Sequence, residues 1–194
     1  MTTTAPAISA SFLAGKHQAA LSYEDYLATD PGKAPAWRQI GAKTVLTPAQ
    51  QRLLGGFTRD MKVICLSGIW CGDCVQQGPL LERIAEASSR IDLGWLDRDE
   101  HMDLTRLVRI NAGDRVPVVI FMAEDFEPVA IYGDRTLTRY RALAARNLGP
   151  SCPVPGAPVP PEELAATLQD WLDEFERVQL LLRLSTRLRA KHGD

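Results

Sequence analysis

No run in this 194-residue chain approaches the roughly 18 apolar residues that suggest a membrane span. Residues 1–10 are small and polar, without the basic start and apolar core of a secretory signal, so the expected location is cytoplasmic. An excess of one charge is also missing. The 22 basic and 24 acidic residues leave a net charge of -2, which gives no reason to invoke nucleic acid or a membrane surface as partner. Cysteine is scarce, with four in the chain, too few for a disulfide framework at this length. In a reducing compartment a close cysteine pair is catalytic or metal-binding rather than structural. Cys65, Cys152, His17, His101 and His192 supply no second close pair, which argues against a four-ligand zinc site. Asp97, Asp99 and Glu100 lack the glycine and ligand spacing of a calcium loop. No internal repeat is visible, and 45% hydrophobic residues suit one globular domain with extensions.

What is there centres on Ser67-Gly68-Ile69-Trp70-Cys71-Gly72-Asp73-Cys74. Met61 to Leu66 is apolar and rich in β-branched residues, which predicts a short buried strand ahead of it. Leu80, Leu81, Ile84 and Ala85 share one side of a helix over Pro79 to Ser88. A helix that begins near Cys71 points its free N–H groups and positive dipole end at that sulfur. Such a terminus stabilises a thiolate, the nucleophilic form of cysteine. Cys74, one turn further in, is placed to close a disulfide.

Around this stretch the punctuation is regular. Phe12 to Ala28 carries one or two amphipathic helices, broken at Asp30-Pro31-Gly32, with Ser22 as a helix start. Thr47-Pro48 reads as N-cap and first helical residue of a helix that stops at Gly55-Gly56. A second strand is expected over Ile91–Leu96, then the acidic loop 97–100, a helix over Met102–Ile110 and a turn at 111–114. A strand over Val116–Phe121 and a hairpin partner at Pro128–Tyr132 follow, and Thr136 to Asn147 is helical. Residues 150–161 hold six of the thirteen prolines and predict a stiff, irregular connection. Leu164, Leu168, Trp171, Leu172, Phe175 and Val178 repeat at helical spacing in a final helix, and the apolar pattern continues to Leu188. Strand–helix–strand–helix followed by a hairpin implies an α/β fold, a central mixed sheet flanked by helices.

Trp70-Cys71-Gly72-Asp73-Cys74, with Val116-Pro117 opening a later strand, resembles the thioredoxin superfamily over about Met61 to Gly133 and the last helix. The early helices, with Ser22 to Leu27 and Leu46-Thr47-Pro48, look like a branch of thioredoxin-like bacterial proteins. The resemblance implies a thioredoxin-like fold with an N-terminal helical extension over 1–58, packed on the core, and a thioredoxin-like domain over 59–194 with a Pro-rich insertion around 149–161. It also implies roles by position. Cys71 attacks and Cys74 resolves the mixed disulfide. Pro117 forms a cis peptide facing the sulfurs and leaves the Val116 backbone free to pair with a substrate peptide. Trp70 shields the site, while Gly72 and Asp73 complete the turn. Two departures stand out. Asp73 replaces the usual proline, and its charge opposes the thiolate that the helix terminus favours, with the net sign open. Cys65 stands where typical thioredoxins carry a buried carboxylate that helps deprotonate the resolving cysteine, and a buried thiol is a poor proton acceptor.

Simpler readings stand beside these. Cys65 is a small core residue, Cys152 an unpaired thiol in the proline-rich connection or else an extra exchange partner, and His101 a solvated side chain. Arg135, Arg139, Arg141 and Arg146 are a solvated helix face, or else flank the active site and attract acidic partners. An iron–sulfur cluster shared between two chains is a further use of the cysteine pair. The leucine-rich end is core or a dimer seam, so the chain is a monomer or dimer. The expected function is a thiol–disulfide oxidoreductase acting on protein disulfides, with a reductase or small thiol as reductant. No cofactor or metal is implied. The alternative is an adaptor module that uses the same surface with little redox turnover.

Overall fold

The computed structural model describes residues 8–148 and 162–194. The proline-rich connection and Cys152 lie outside the described residues. Four helices precede the sheet: α1 (Ala10–Gln18), α2 (Tyr23–Ala28), α3 (Ala34–Lys43) and α4 (Pro48–Gly55). Then follow β1 (Met61–Ser67), α5 (Gly72–Glu86), β2 (Ile91–Asp97), α6 (Met102–Thr105), β3 (Val118–Ala123), β4 (Pro128–Gly133), α7 (Leu137–Asn147), α8 (Glu163–Leu184) and α9 (Thr186–His192).

The strands form one sheet in the order β2-β1-β3-β4. β1 and β2 are parallel, which requires the crossover that α5 provides. β3 runs antiparallel to β1, and β4 antiparallel to β3. β1 is central and buried on both faces from Val63 onward, as the apolar run Val63–Leu66 demands. Its alternating residues feed two cores. Met61, Val63 and Cys65 meet Trp95, Val119 and Phe121 under α2, α3, α5 and α8. Ile64 and Leu66 meet Leu96, Val118 and Ile120 under Leu13 of α1 and Leu104 of α6. The early helices therefore divide between the two faces of the sheet.

Local chemistry explains the ends. Thr47 and Gln50 form a reciprocal capping box at the start of α4, with Pro48 at the first helical position. Ser22 caps α2 through the Asp25 N–H. Two sequence expectations need correction, and one helix was not expected. The helix expected over Met102–Ile110 stops at Thr105, because Leu107 and Val108 turn toward the core and Ile110 bridges to Gly113. The strand expected from Val116 starts at Val118, since the cis Val116–Pro117 bond precedes the ladder and proline has no N–H to donate. Helix α3 has no counterpart in the sequence reading: with an Arg-Gln interruption its apolar side is short, yet Trp37 is fully buried.

Candidate active site

Cys71 is the N-cap of α5, in extended conformation (φ -80°, ψ 125°), and is half-buried. Its sulfur lies 3.7 Å from the Val116 carbonyl, on the peptide that leads into cis Pro117. Pro117 and Cys74 are buried. Gly133 closes the far side: a Cβ there would lie 2.4 Å from the Pro117 carbonyl oxygen, so only glycine lets β4 approach this closely. Cys71, Cys74, Val116 and Pro117 thus converge, although the Cys71 sulfur, expected to be exposed, is half-covered. Trp70 stays 48% exposed at the rim, its ring 4.6 Å from the Arg98 guanidinium. Gly72 begins the helix with open space around it.

The two thiols differ sharply. The Cys74 S–H bonds the Cys71 sulfur and lowers the Cys71 pKa. Burial opposes this, but the free backbone N–H groups of Cys74 and Asp73 add to it, and the pKa falls from 9.0 to about 6. Cys74 moves the other way, pushed up first by burial and then by the bond it donates to Cys71. Cys65 is fully buried and is likewise raised by desolvation.

The balance at Asp73 comes from elsewhere in the chain. Its carboxylate accepts from Arg135 Nη2 and, at 3.1 Å, from Arg139 Nη2. Two arginines read more simply as a solvated face therefore flank the cysteine turn. Gln77, fully buried on α5, sets their register. It donates to the Asp134 carbonyl at 3.0 Å and accepts from the Thr136 N–H and the Trp171 indole. Asp134 is desolvated, yet bonds from Tyr140 and Arg115 hold its carboxyl below the usual range. A lone glutamine on an otherwise apolar helix face was the available sequence signal for this hub, and it was missed.

Helix α3 supports the loop from behind. Trp37 donates to the Ile69 carbonyl at 3.0 Å, one residue before Trp70. Its ring lies against Gly78, where a Cβ would sit 2.1 Å from it. His101, expected to be solvated, is part-buried, with Nδ1 at 3.1 Å from Lys16 Nζ. Among the described residues no group of three or more His, Cys, Asp or Glu side chains is arranged to hold a metal ion. Nor, among them, is any helix long and apolar enough to cross a membrane.

A search of the curated proteins finds no match. Among solved structures, a Pseudomonas aeruginosa protein of unknown function is similar at a TM-score of 0.58 and 17% identity, over 86% of this chain and 91% of that one. An HIV epitope scaffold is similar at a TM-score of 0.58 and 16% identity, over 93% of this chain and 98% of the scaffold. At such identities the likeness concerns the fold alone. The family model described as Thioredoxin matches residues 20–144, from just before α2 through most of α7, and the chain belongs to the thioredoxin superfamily.

Proposed function

We propose that this protein is a thiol–disulfide oxidoreductase that works through a Cys71/Cys74 dithiol–disulfide couple. The observation that carries the reading is the placement of the two thiols: Cys71 is half-buried at the N-cap of α5, 3.7 Å from the Val116 carbonyl beside cis Pro117, and Cys74 is buried one turn further in. At pH 7, Cys71 with a pKa of about 6 is mostly thiolate, while Cys74 keeps its proton. The Cys71 thiolate attacks one sulfur of a substrate disulfide, forming a mixed disulfide and releasing the other sulfur as a thiolate. Cys74 then loses its proton and attacks the Cys71 sulfur. The second substrate thiol leaves, and the Cys71–Cys74 disulfide remains. The substrate is reduced by two electrons, and a separate reductase or small thiol restores the dithiol.

Trp70 and the cis-proline edge offer the substrate an apolar surface with a backbone acceptor beside it. Protein disulfides are the substrate class this open edge suits, and a cytoplasmic location follows from the same reading. The test is reduction of insulin disulfides with a thiol donor. Wild type is expected to turn over, Cys71→Ser to be inactive, and Cys74→Ser to accumulate a mixed disulfide. Inactivity of wild type on several protein disulfides, with partner capture that survives Cys71→Ser and strong reductant, leaves the adaptor role instead.

A further inference from the structure

Among the described residues four hydroxyls with buried oxygens have no hydrogen-bond partner, those of Tyr23, Tyr26, Ser67 and Thr136, and Tyr26 and Ser67 are the two near Cys74. Ser67 is 0% exposed and Tyr26 1%, and neither side-chain oxygen makes a hydrogen bond. Buried polar atoms are normally satisfied, and each exception calls for an explanation. Both lie beside the resolving cysteine. Ser67 follows Cys65 by two residues on β1, so it faces α5 and Cys74 as Cys65 does. Tyr26 packs in that same core, stacked on Trp95, whose backbone pairs with Cys65. Ser67 is close enough to favour the ionised forms of both Cys74 and Tyr26. Beyond, Tyr26 helps to wall a cavity of about 130 Å³ lined also by Thr29, Asp97, Glu100 and His101, with Glu100 exposed. A cavity of that size and polarity admits water.

We propose that Ser67 and Tyr26 form a hydroxyl relay that takes the proton from Cys74 and then donates back to its thiolate. The inference rests on the oxidoreductase reading above. In the resolving step the Cys74 S–H bond breaks and its proton passes to the Ser67 oxygen. The Ser67 proton moves to Tyr26, and the Tyr26 proton to water in the cavity. Each hydroxyl then points its O–H back toward the sulfur. The electron pair on Cys74 Sγ forms the bond to Cys71 Sγ, and the bond from Cys71 to the substrate sulfur breaks. The leaving sulfur takes that pair and a proton from solvent. Donors idle against the thiol and engaged by the thiolate favour the reactive state selectively. Other titratable groups facing this pair are Cys65 on β1, Cys71 at the helix cap, Glu82 on α5 and Asp97 at the end of β2. Cys65 is too strongly desolvated to serve as the base. Ser67 faces the reacting sulfur from β1, and Tyr26 acts through Ser67 as a positioning residue.

The test uses the full-length reduced protein and an aromatic disulfide whose released thiol is coloured. A first phase reports capture by Cys71, and a second reports displacement by Cys74. Ser67→Ala and Tyr26→Phe are each expected to slow the second phase at neutral pH about tenfold or more and to move its midpoint to higher pH. Capture by Cys71 keeps its rate and midpoint, and Ser67→Thr recovers the second phase. Unchanged second phases in both variants overturn the relay, as does parallel loss of both phases in a folded Tyr26→Phe. A wild type that captures the reagent and never releases the second thiol overturns the oxidoreductase reading itself.

Discussion

At Asp73 a carboxylate stands two residues from the sulfur that the proposed chemistry uses as a thiolate. Alone it would raise the Cys71 pKa, and it does act in that direction. Arg135 and Arg139 pair with it at contact distance, and at Cys71 the Cys74 thiol and the helix-end N–H groups outweigh it. Reduced protein should therefore react with iodoacetamide at Cys71 with a midpoint near 6, against 9.0 for an ordinary thiol. Arg135→Met with Arg139→Met should move that midpoint upward, and adding Asp73→Asn should bring it back down. A midpoint indifferent to the arginines would show that the ion pairs only hold the loop. Trp70 to Cys74 and Val116-Pro117 were legible because each is a contiguous signature. The Asp73–Arg135 pair was not, because 62 residues separate its members and only the fold joins them. The Ser67 and Tyr26 hydroxyls were equally silent, since nothing in a sequence marks a serine as buried and unpartnered.

The elements with strong local signals matched the sequence reading closely. β1, the capped helices α2 and α4, and the β3–β4 hairpin are each specified by patterning and punctuation within a few residues. α3 escaped because its fit depends on a distant glycine. Trp37 packs where Gly78 of α5 has no side chain, and its indole then reaches the Ile69 carbonyl. Gly78→Ala should destabilise the fold by about 1–3 kcal/mol despite the better helix propensity of alanine. Chemical denaturation measures the loss. In the variant the first, Cys71 alkylation step should also slow as the loop loses its support. A stability equal to wild type would mean that Trp37 swings aside freely.

Over the whole molecule, the ends of the chain close on the sheet from opposite directions. α1 covers the face that carries Ile64 and Leu66, while α8 covers the face beneath the site through Trp171, Leu172 and Phe175. The last helix adds Leu188, 1% exposed, and the Arg59 guanidinium, 6% exposed, pairs with Asp194. Leu188→Ala should cost about 2–5 kcal/mol as a core truncation, read as a lower urea midpoint at unchanged slope. A loss below 0.5 kcal/mol, the range of ordinary surface changes, would mean that α9 is only loosely held. The layered α/β plan was readable from the order of the elements, because periodicity switches along the chain. Which early helix goes to which face was not, because both faces of β1 are equally apolar.

The most direct measurement of the central claim is a glutathione redox titration of the full chain, quenched by alkylation and read by mass at each cysteine. The account predicts that Cys71 and Cys74 lose their reactivity together in one two-electron transition, while Cys65 stays unchanged. Replacement of Cys71 by serine should abolish the transition. Cys71 and Cys74 remaining free thiols across the whole range of glutathione poise would contradict it.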